Sequence, residues 1–456
     1  MNLKTLSISI ILASLPTSAV FAAALDRSGQ SIQAFLQPGN YVEAGISVLD
    51  ANVSGKLQED WKPLPQYNGS RGLGGSEISD MADSYQFYNA ALKVQMTDKL
   101  SFGLLYDQPF GADAEYSTED KSYNTVPSYH SVNKDAGAFH RNGEGTKVDV
   151  NTQTLSFLLG YQPNENWNIY GGAVYQIVEG EVALRGSAYG PLGGGFCATI
   201  CSPVRDIATN EAYNGYTAKI KQDSSVGWLA GISYQIPEIA LKAALTYRSE
   251  IDHKMIVQED NLGYATNTLV ANQMEILKKE NIQKIADSVG QTKITTPQSI
   301  NLDFQTGIMA NTVAFANVRW VEWSKFAINP YKFGQVANGL KAGGFDLVAY
   351  EKDQISANVG IGRKFTDKWA GSVMVGWDSG AGNLVSTLGP TEGYWSAGLG
   401  VQFSPTNNSF IQAGAKYFWL GDAKSQVASH YGSQEYAADF KDNHAVGYSL
   451  KIGHRF

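Results

Sequence analysis

The closing stretch His444-Ala445-Val446-Gly447-Tyr448-Ser449-Leu450-Lys451-Ile452-Gly453-His454-Arg455-Phe456 alternates in character with a period of two. Val446, Tyr448, Leu450, Ile452 and Phe456 share one face with His444 and His454, and Gly447, Ser449 and Lys451 share the other. Successive side chains of a strand point to opposite faces, so this is a strand with an apolar and a polar side. In a membrane barrel the first side meets lipid and the second the lumen.

The start of the chain tells where such a strand would work. Residues 1–22 carry Lys4 as their one charge, an apolar run through Ile8, Ile10, Ile11 and Leu12, and a small-residue exit at Val20-Phe21-Ala22. This layout predicts a secretory signal peptide over 1–22. No later window holds about 18 uninterrupted apolar residues, the length of a helical span, so any membrane crossing must be made by strands. The 47 glycines and 11% aromatic share suit strands and turns. Removing Lys4 with the signal moves the net charge from −8 to −9, which argues against nucleic acid as a partner.

Working outward from the last strand, the same alternation recurs at 410–420 and 394–403, and at 369–378 and 354–364. It recurs again at 312–324 and 300–306, at 240–254 and 225–236, at 167–184 and 148–161, and at 100–110 and 85–97. Short turns join each pair, which marks hairpins. With a first strand over 41–54, these segments predict an all-β, fourteen-stranded antiparallel transmembrane barrel over 41–456, with 23–40 left as a short N-terminal plug. Between pairs the connections are long: 55–84, 111–147, 185–224, 255–299, 325–353, 379–393 and 421–443. Outer-membrane barrels keep short turns in the periplasm and long loops outside, which places both ends of the mature chain on the periplasmic side. Phe456, a terminal aromatic, resembles the ending that the barrel-assembly machinery reads. Tyr161, Trp167, Trp369 and Phe403, beside short turns, are expected in an interfacial girdle.

Two loop features stand out. Val270, Met274 and Leu277 fall at helical spacing, followed by Ile282, Ile285, Val289 and a Gly290 stop. They predict an amphipathic helix, the one convincing helix of the chain, in a loop that should offer little core to join. Cys197 and Cys201 could form a small disulfide loop or supply two thiolate ligands. Secretion into an oxidising compartment favours the disulfide, and no His stands nearby to complete a metal site.

Several segments together resemble the long-chain fatty acid transporter (FadL) family: Thr246-Tyr247-Arg248-Ser249-Glu250, Trp320-Val321-Glu322-Trp323-Ser324-Lys325-Phe326, and Phe110-Gly111-Ala112-Asp113-Ala114-Glu115-Tyr116. Leu25-Asp26-Arg27-Ser28-Gly29-Gln30 and Pro38-Gly39-Asn40-Tyr41 resemble one branch of it. The resemblance implies a fourteen-stranded barrel with a hatch, carrying fatty acids or other hydrophobic molecules passively across the bacterial outer membrane. It also implies a ligand groove between two long outer loops, here 185–224 and 255–299, with Val270, Met274 and Leu277 as candidate walls. A kinked third strand that opens the wall sideways is implied as well. The hatch here is shorter than the family's and lacks its Asn-Pro-Ala segment.

Site expectations follow from the residues. Gly103 weakens packing, Pro109 cannot donate a ladder hydrogen bond, and Gly111 follows, so the three are candidates for a lateral opening in the third strand. A carboxylate in an apolar lumen needs a cation. Strand parity turns Arg248 and Lys416 inward and leaves Arg319 undecided, and the three are candidate ligand-binding residues. The bland alternative is salt bridging inside the barrel, with Glu250 the nearest partner for Arg248. No catalytic triad, phosphate loop or metal motif is recognisable among the six histidines and their neighbours, so no enzyme, cofactor or metal is expected. The expected partners are a hydrophobic ligand, outer-membrane lipid and lipopolysaccharide, and the assembly machinery. Uptake of aromatic hydrocarbons is the main alternative. A general porin or an outer-membrane lipid hydrolase fits less well, because charge is 17% and spread thinly.

Overall fold

The computed structural model describes residues 25–61, 73–122, 136–193, 215–260, 284–285, 287–382 and 384–456. Fourteen antiparallel strands follow one another in chain order around a closed barrel. They are β1 (Tyr41–Asn52), β2 (Tyr85–Gln95), β3 (Leu100–Asp107), β4 (Lys147–Tyr161), β5 (Trp167–Ala183), β6 (Thr217–Ile236) and β7 (Leu241–Arg248), then β8 (Ser299–Met309), β9 (Thr312–Val321), β10 (Gln354–Lys364), β11 (Trp369–Asp378), β12 (Tyr394–Phe403), β13 (Ser409–Leu420) and β14 (His444–Arg455). The last strand closes on the first, with Arg455 opposite Tyr41 and His444 opposite Asn52.

Period-two alternation holds around the wall. Tyr448, Leu450 and Ile452 are exposed on the outside of β14, and Lys451 is buried inside. Likewise Trp369, Val373 and Val375 face outward from β11, and Ala370, Ser372 and Met374 face the lumen. The outer belt therefore presents apolar side chains on strands whose backbone groups are paired in the ladder except at the third strand, the condition for a strand to stand in hydrocarbon.

At the long-loop end the connections fold on one another. Leu384–Ser386, Ala423–Gln426, Ala438–Phe440, Gly55–Leu57 and Glu77–Ile78 form a single five-stranded sheet, built from loops far apart in sequence. Leu57, Ile78, Val385, Val427 and Phe440 are buried beneath it, in one cluster with Tyr116, Phe139, Tyr189 and Trp323. The expectation of little core among the loops is corrected here, because each loop contributes a few apolar residues that only their mutual packing hides.

The chain also has a helix that was not expected, α1 (Tyr331–Leu340). Its own N-cap, Pro330, offers no side-chain bond. Glu259 supplies the cap from another loop, its carboxylate accepting the Lys332 and Phe333 amides at 2.8 and 2.7 Å. A carboxylate at a helix N-terminus satisfies free donors and opposes the dipole. The expected helix around Val270, Met274 and Leu277 lies outside the described residues, as do the Cys197 and Cys201 pair and residues 1–22.

Candidate functional site

The first described residues run inside the barrel as a plug. Ile32, Ala34, Phe35 and Leu36 are buried, and Phe35 meets Tyr170 of β5 edge-on at 5.7 Å. Toward the short-turn end, Lys242 Nζ donates to the Leu36 carbonyl at 2.7 Å, Lys93 Nζ to that of Gln37, and Arg455 to the Gln37 side chain at 3.1 Å. Lys451 pairs with Glu43 at 3.0 Å beside them. This half of the lumen holds the plug and its buried charges.

Arg319 is inward and almost fully buried. Its Nε donates to Asp26 at 2.6 Å, its Nη1 to Asn301 at 2.7 Å, and its Nη2 to Gln30 at 3.0 Å. Every nitrogen of the guanidinium is engaged, so this arginine ties the plug to β9. Ser299 and Asn301 of β8 hold the plug's Gln30 and Gly29 as well, at 3.0 and 2.8 Å.

The wall is interrupted at the third strand. The β2–β3 ladder ends at Ala90 opposite Tyr106, and beyond it Tyr85 to Asn89 pair with β1 alone among the barrel strands. Residues 108–110 leave the strand, and Gly111–Glu115 then resumes along β4. The wall closes again at the Ala82–Ala114 bridge. Between these points lies a window, crossed by a bond from the Tyr88 amide to the Gln108 side chain at 2.8 Å. Pro109 and Gly111 border it. Gly103 does not: it sits in an unbroken ladder between Lys93 and Leu158, and a Cβ there would overlap the Phe35 ring. Its lack of a side chain makes room for the plug.

From the lumen side the plug pairs with the border of this window. The Arg27 amide donates to the Pro109 carbonyl at 2.6 Å, the Gly111 amide donates to the Leu25 carbonyl at 2.8 Å, and Asp26 bridges Phe110. Arg27 also donates to Asn151 of β4 at 2.8 Å and stacks 4.1 Å above the Tyr85 ring.

Two cavities adjoin the window. The first is a small recess lined by Leu25, Phe110, Val178, Ile294, Trp323 and Phe326 among others. Its two threonines have spent their hydroxyls, Thr152 on the Phe110 backbone and Thr296 on Gln176, and the Trp323 indole donates to Gln354. Among the described residues it therefore offers hydrocarbon surface and no free hydrogen-bonding side chain. The second cavity reaches from Phe87, Asn89 and Tyr106 at the window past Ser28, Asp107, Arg248 and Asp303 to Glu43 and Lys451. Arg248 is 6% exposed, and among the described residues its Nη1 has no hydrogen-bond partner. Glu250 is exposed and forms no ion pair with it, because the ladder breaks after Arg248 and the parity that would bring Glu250 inward is lost. Lys416 lines an adjoining recess with Phe87 and Phe418, and its Nζ donates to Asn358 at 3.0 Å with the Phe418 ring 5.0 Å away. Among the described residues no group of His, Cys, Asp and Glu converges as metal ligands do.

Strand parity gave the inward direction of Arg248 and Lys416 and left that of Arg319 undecided, and sequence reasoning missed the plug's place at the window and the apolar recess under Trp323. A β-strand pattern could have shown neither, since both are built by residues distant in sequence. Trp323 lies in the tryptophan segment singled out from the sequence, which was the one available signal.

The sequence profile of the family described as outer membrane protein transport protein (OMPP1/FadL/TodX) matches residues 23–456. No curated protein sequence matches the chain. Among solved structures, a FadL homologue from Pseudomonas aeruginosa is 15% identical with a TM-score of 0.60, over 92% of this chain and 91% of that one. The toluene transporter TodX of Pseudomonas putida is 12% identical with a TM-score of 0.53, over 93% and 91%. CymD, a monoaromatic hydrocarbon channel, is 11% identical with a TM-score of 0.50, over 95% and 94%. Taken with a closed fourteen-stranded barrel that carries an internal plug, the match over nearly its whole length places this chain in the FadL/TodX family of bacterial outer-membrane transport proteins for hydrophobic compounds.

Proposed function

We propose that the chain carries long-chain fatty acids by passive diffusion, from the outer loops through the apolar cavity and out sideways through the window into the membrane. The observation that carries this reading is the position of Phe110, which lines the apolar cavity and belongs to the segment bordering the window. A greasy ligand held there adjoins lipid. The alternative path, down the lumen, runs into the plug and the buried charges of Lys93, Lys242, Glu43 and Lys451, where hydrocarbon gains nothing and would strip those groups of their partners.

The unpartnered Arg248 nitrogen in the second cavity supports a carboxylate ligand, since a guanidinium fork matches that group. Lys416 is a second candidate cation for it. The apolar cavity itself, with no free polar side chain among the described residues, equally suits a neutral aromatic hydrocarbon. Binding of oleate and of toluene to the purified barrel, with Arg248→Ala and Lys416→Ala alongside, separates the two. Oleate binding weakened by the arginine change, with toluene unaffected, supports the fatty acid reading. A preference for toluene that neither substitution alters overturns it in favour of hydrocarbon uptake.

A further inference from the structure

The inner face of the interrupted wall carries polar groups that the fold leaves open. The last β2–β3 pair is Ala90 with Tyr106, so Asn89 and Asp107 stand one step beyond it, where the ladder would have continued. Their parity is inward, shared with the buried Phe87 and Ala91 on β2 and Leu105 on β3. Both line the second cavity, and both are partly exposed to it. Gly45 of β1 lies opposite Asn89, and a Cβ there would overlap the Asn89 amide oxygen. The glycine makes room for a side chain that forms no hydrogen bond among the described residues. Asp107 accepts the Ser28 hydroxyl on Oδ2 at 3.0 Å, and among the described residues nothing donates to its Oδ1. Arg248 and Asp107 are each other's strongest charged neighbours. No ion pair joins them, and the Arg248 Nη1 stays without a partner among the described residues.

Polar groups that face a cavity are satisfied by what fills it, and an alkyl chain cannot do this. A carboxylate oxygen only accepts, whereas an amide nitrogen donates. Side by side they read one group in particular, since a hydroxyl donates to the first and accepts from the second. The neighbouring arginine places that hydroxyl on an acid. A bare carboxylate drawn to Arg248 would meet the like charge of Asp107 with no proton between them, and a hydroxyl a few carbons along the ligand supplies that proton.

We propose that Asn89 and Asp107 form a hydroxyl-reading site beside Arg248, and that the second cavity takes hydroxylated fatty acids. The carboxylate lies on Arg248, and a hydroxyl near it is held between the Asp107 Oδ1 and the Asn89 amide. The inference rests on the reading of Arg248 as the cation for a carboxylate, and the experiment separates the two.

Binding of tetradecanoate, 3-hydroxytetradecanoate and 3-methoxytetradecanoate to the purified full-length barrel in detergent is measured by calorimetry, in the wild type, Asn89→Ala, Asp107→Ala and Arg248→Ala. The hydroxy acid should bind roughly tenfold more tightly than the plain acid, the factor that a hydrogen bond to a charged group contributes. The methoxy acid has no proton to donate and should not share the gain. Asn89→Ala, which removes no hydrogen bond among the described residues, and Asp107→Ala should each bring the hydroxy acid down toward the plain one. Arg248→Ala should weaken both acids alike. Equal binding of hydroxy and plain acid by the wild type, a methoxy acid as tight as the hydroxy acid, or a preference that survives both Asn89→Ala and Asp107→Ala overturns the hydroxyl site. A preference that those two substitutions remove, with Arg248→Ala changing nothing, leaves the site standing and overturns the carboxylate reading of Arg248.

Discussion

The Arg27 amide donates to the Pro109 carbonyl at 2.6 Å, so the plug acts as a substitute strand along an edge that β2 leaves unpaired. An unpaired edge beside hydrocarbon would leave backbone groups unsatisfied. The plug meets this need from inside the lumen, and on the proposed lateral route the ligand would leave at this point. Joining β2 to the border directly should remove the passage. A Tyr88→Cys/Gln108→Cys pair, placed across the window, is expected to abolish oleate uptake when oxidised while binding at the outer loops persists. Uptake that continues at the wild-type rate in the oxidised protein rules out the lateral route.

Arg319 and Asp26 hold the plug from the opposite wall, and both are buried. Removing one partner of such a pair leaves a charge without compensation, at a cost of about 3–5 kcal/mol. Arg319→Ala is expected to loosen the plug and let small sugars through. Liposome swelling measures this: the wild type should show none, and a variant that also shows none would mean that the remaining anchors suffice.

Phe35 and Gly103 are complementary in volume. Gly103→Ala should therefore lower the denaturation midpoint, by an amount corresponding to about 1–3 kcal/mol of overpacking. The double variant with Phe35→Leu should recover part of that loss, since a smaller side chain vacates the ring's space. Two losses that simply add would show that the residues do not share the site.

Among the outer loops, burial, reinforced by nearby Glu351 and opposed by Lys352, pushes the Glu392 carboxyl up to about 7. A carboxyl raised above its ordinary range stabilises the folded loops at low pH, and that contribution fades as pH rises through 7. Burial also lowers His430 in the neighbouring loop, so its contribution is present above the ordinary histidine range near 6.5 and is lost as pH falls. Limited proteolysis of the outer loops should accordingly quicken between pH 6 and pH 8, and Glu392→Gln should flatten that rise. The acid-side loss should respond to His430→Gln instead.

Much of the barrel could be read from the chain. Alternation such as Tyr448-Ser449-Leu450-Lys451 is a property of neighbouring residues, and a turn is a property of the few residues in it. Strand number, order and the inward direction of Arg248 and Lys416 follow from these two local features. The site was less legible. Arg248 and Arg319 are alike in type and both point inward, yet one is consumed by Asp26, Gln30 and Asn301 and the other keeps a nitrogen unpartnered. No pattern around either arginine reveals which, because Asp26 and Gln30 lie 293 and 289 residues away from Arg319.

The same division runs through the remaining features. The sequence by itself determined that strands with one greasy face close into an outer-membrane barrel, since period-two alternation selects the face each side chain takes. Only the tertiary structure decided that Gly103 serves the plug, that Glu259 caps a helix in another loop, and that the plug lies against the window. Each of these depends on what stands across the lumen or in an adjoining loop, and distance across a barrel has no signature along the chain.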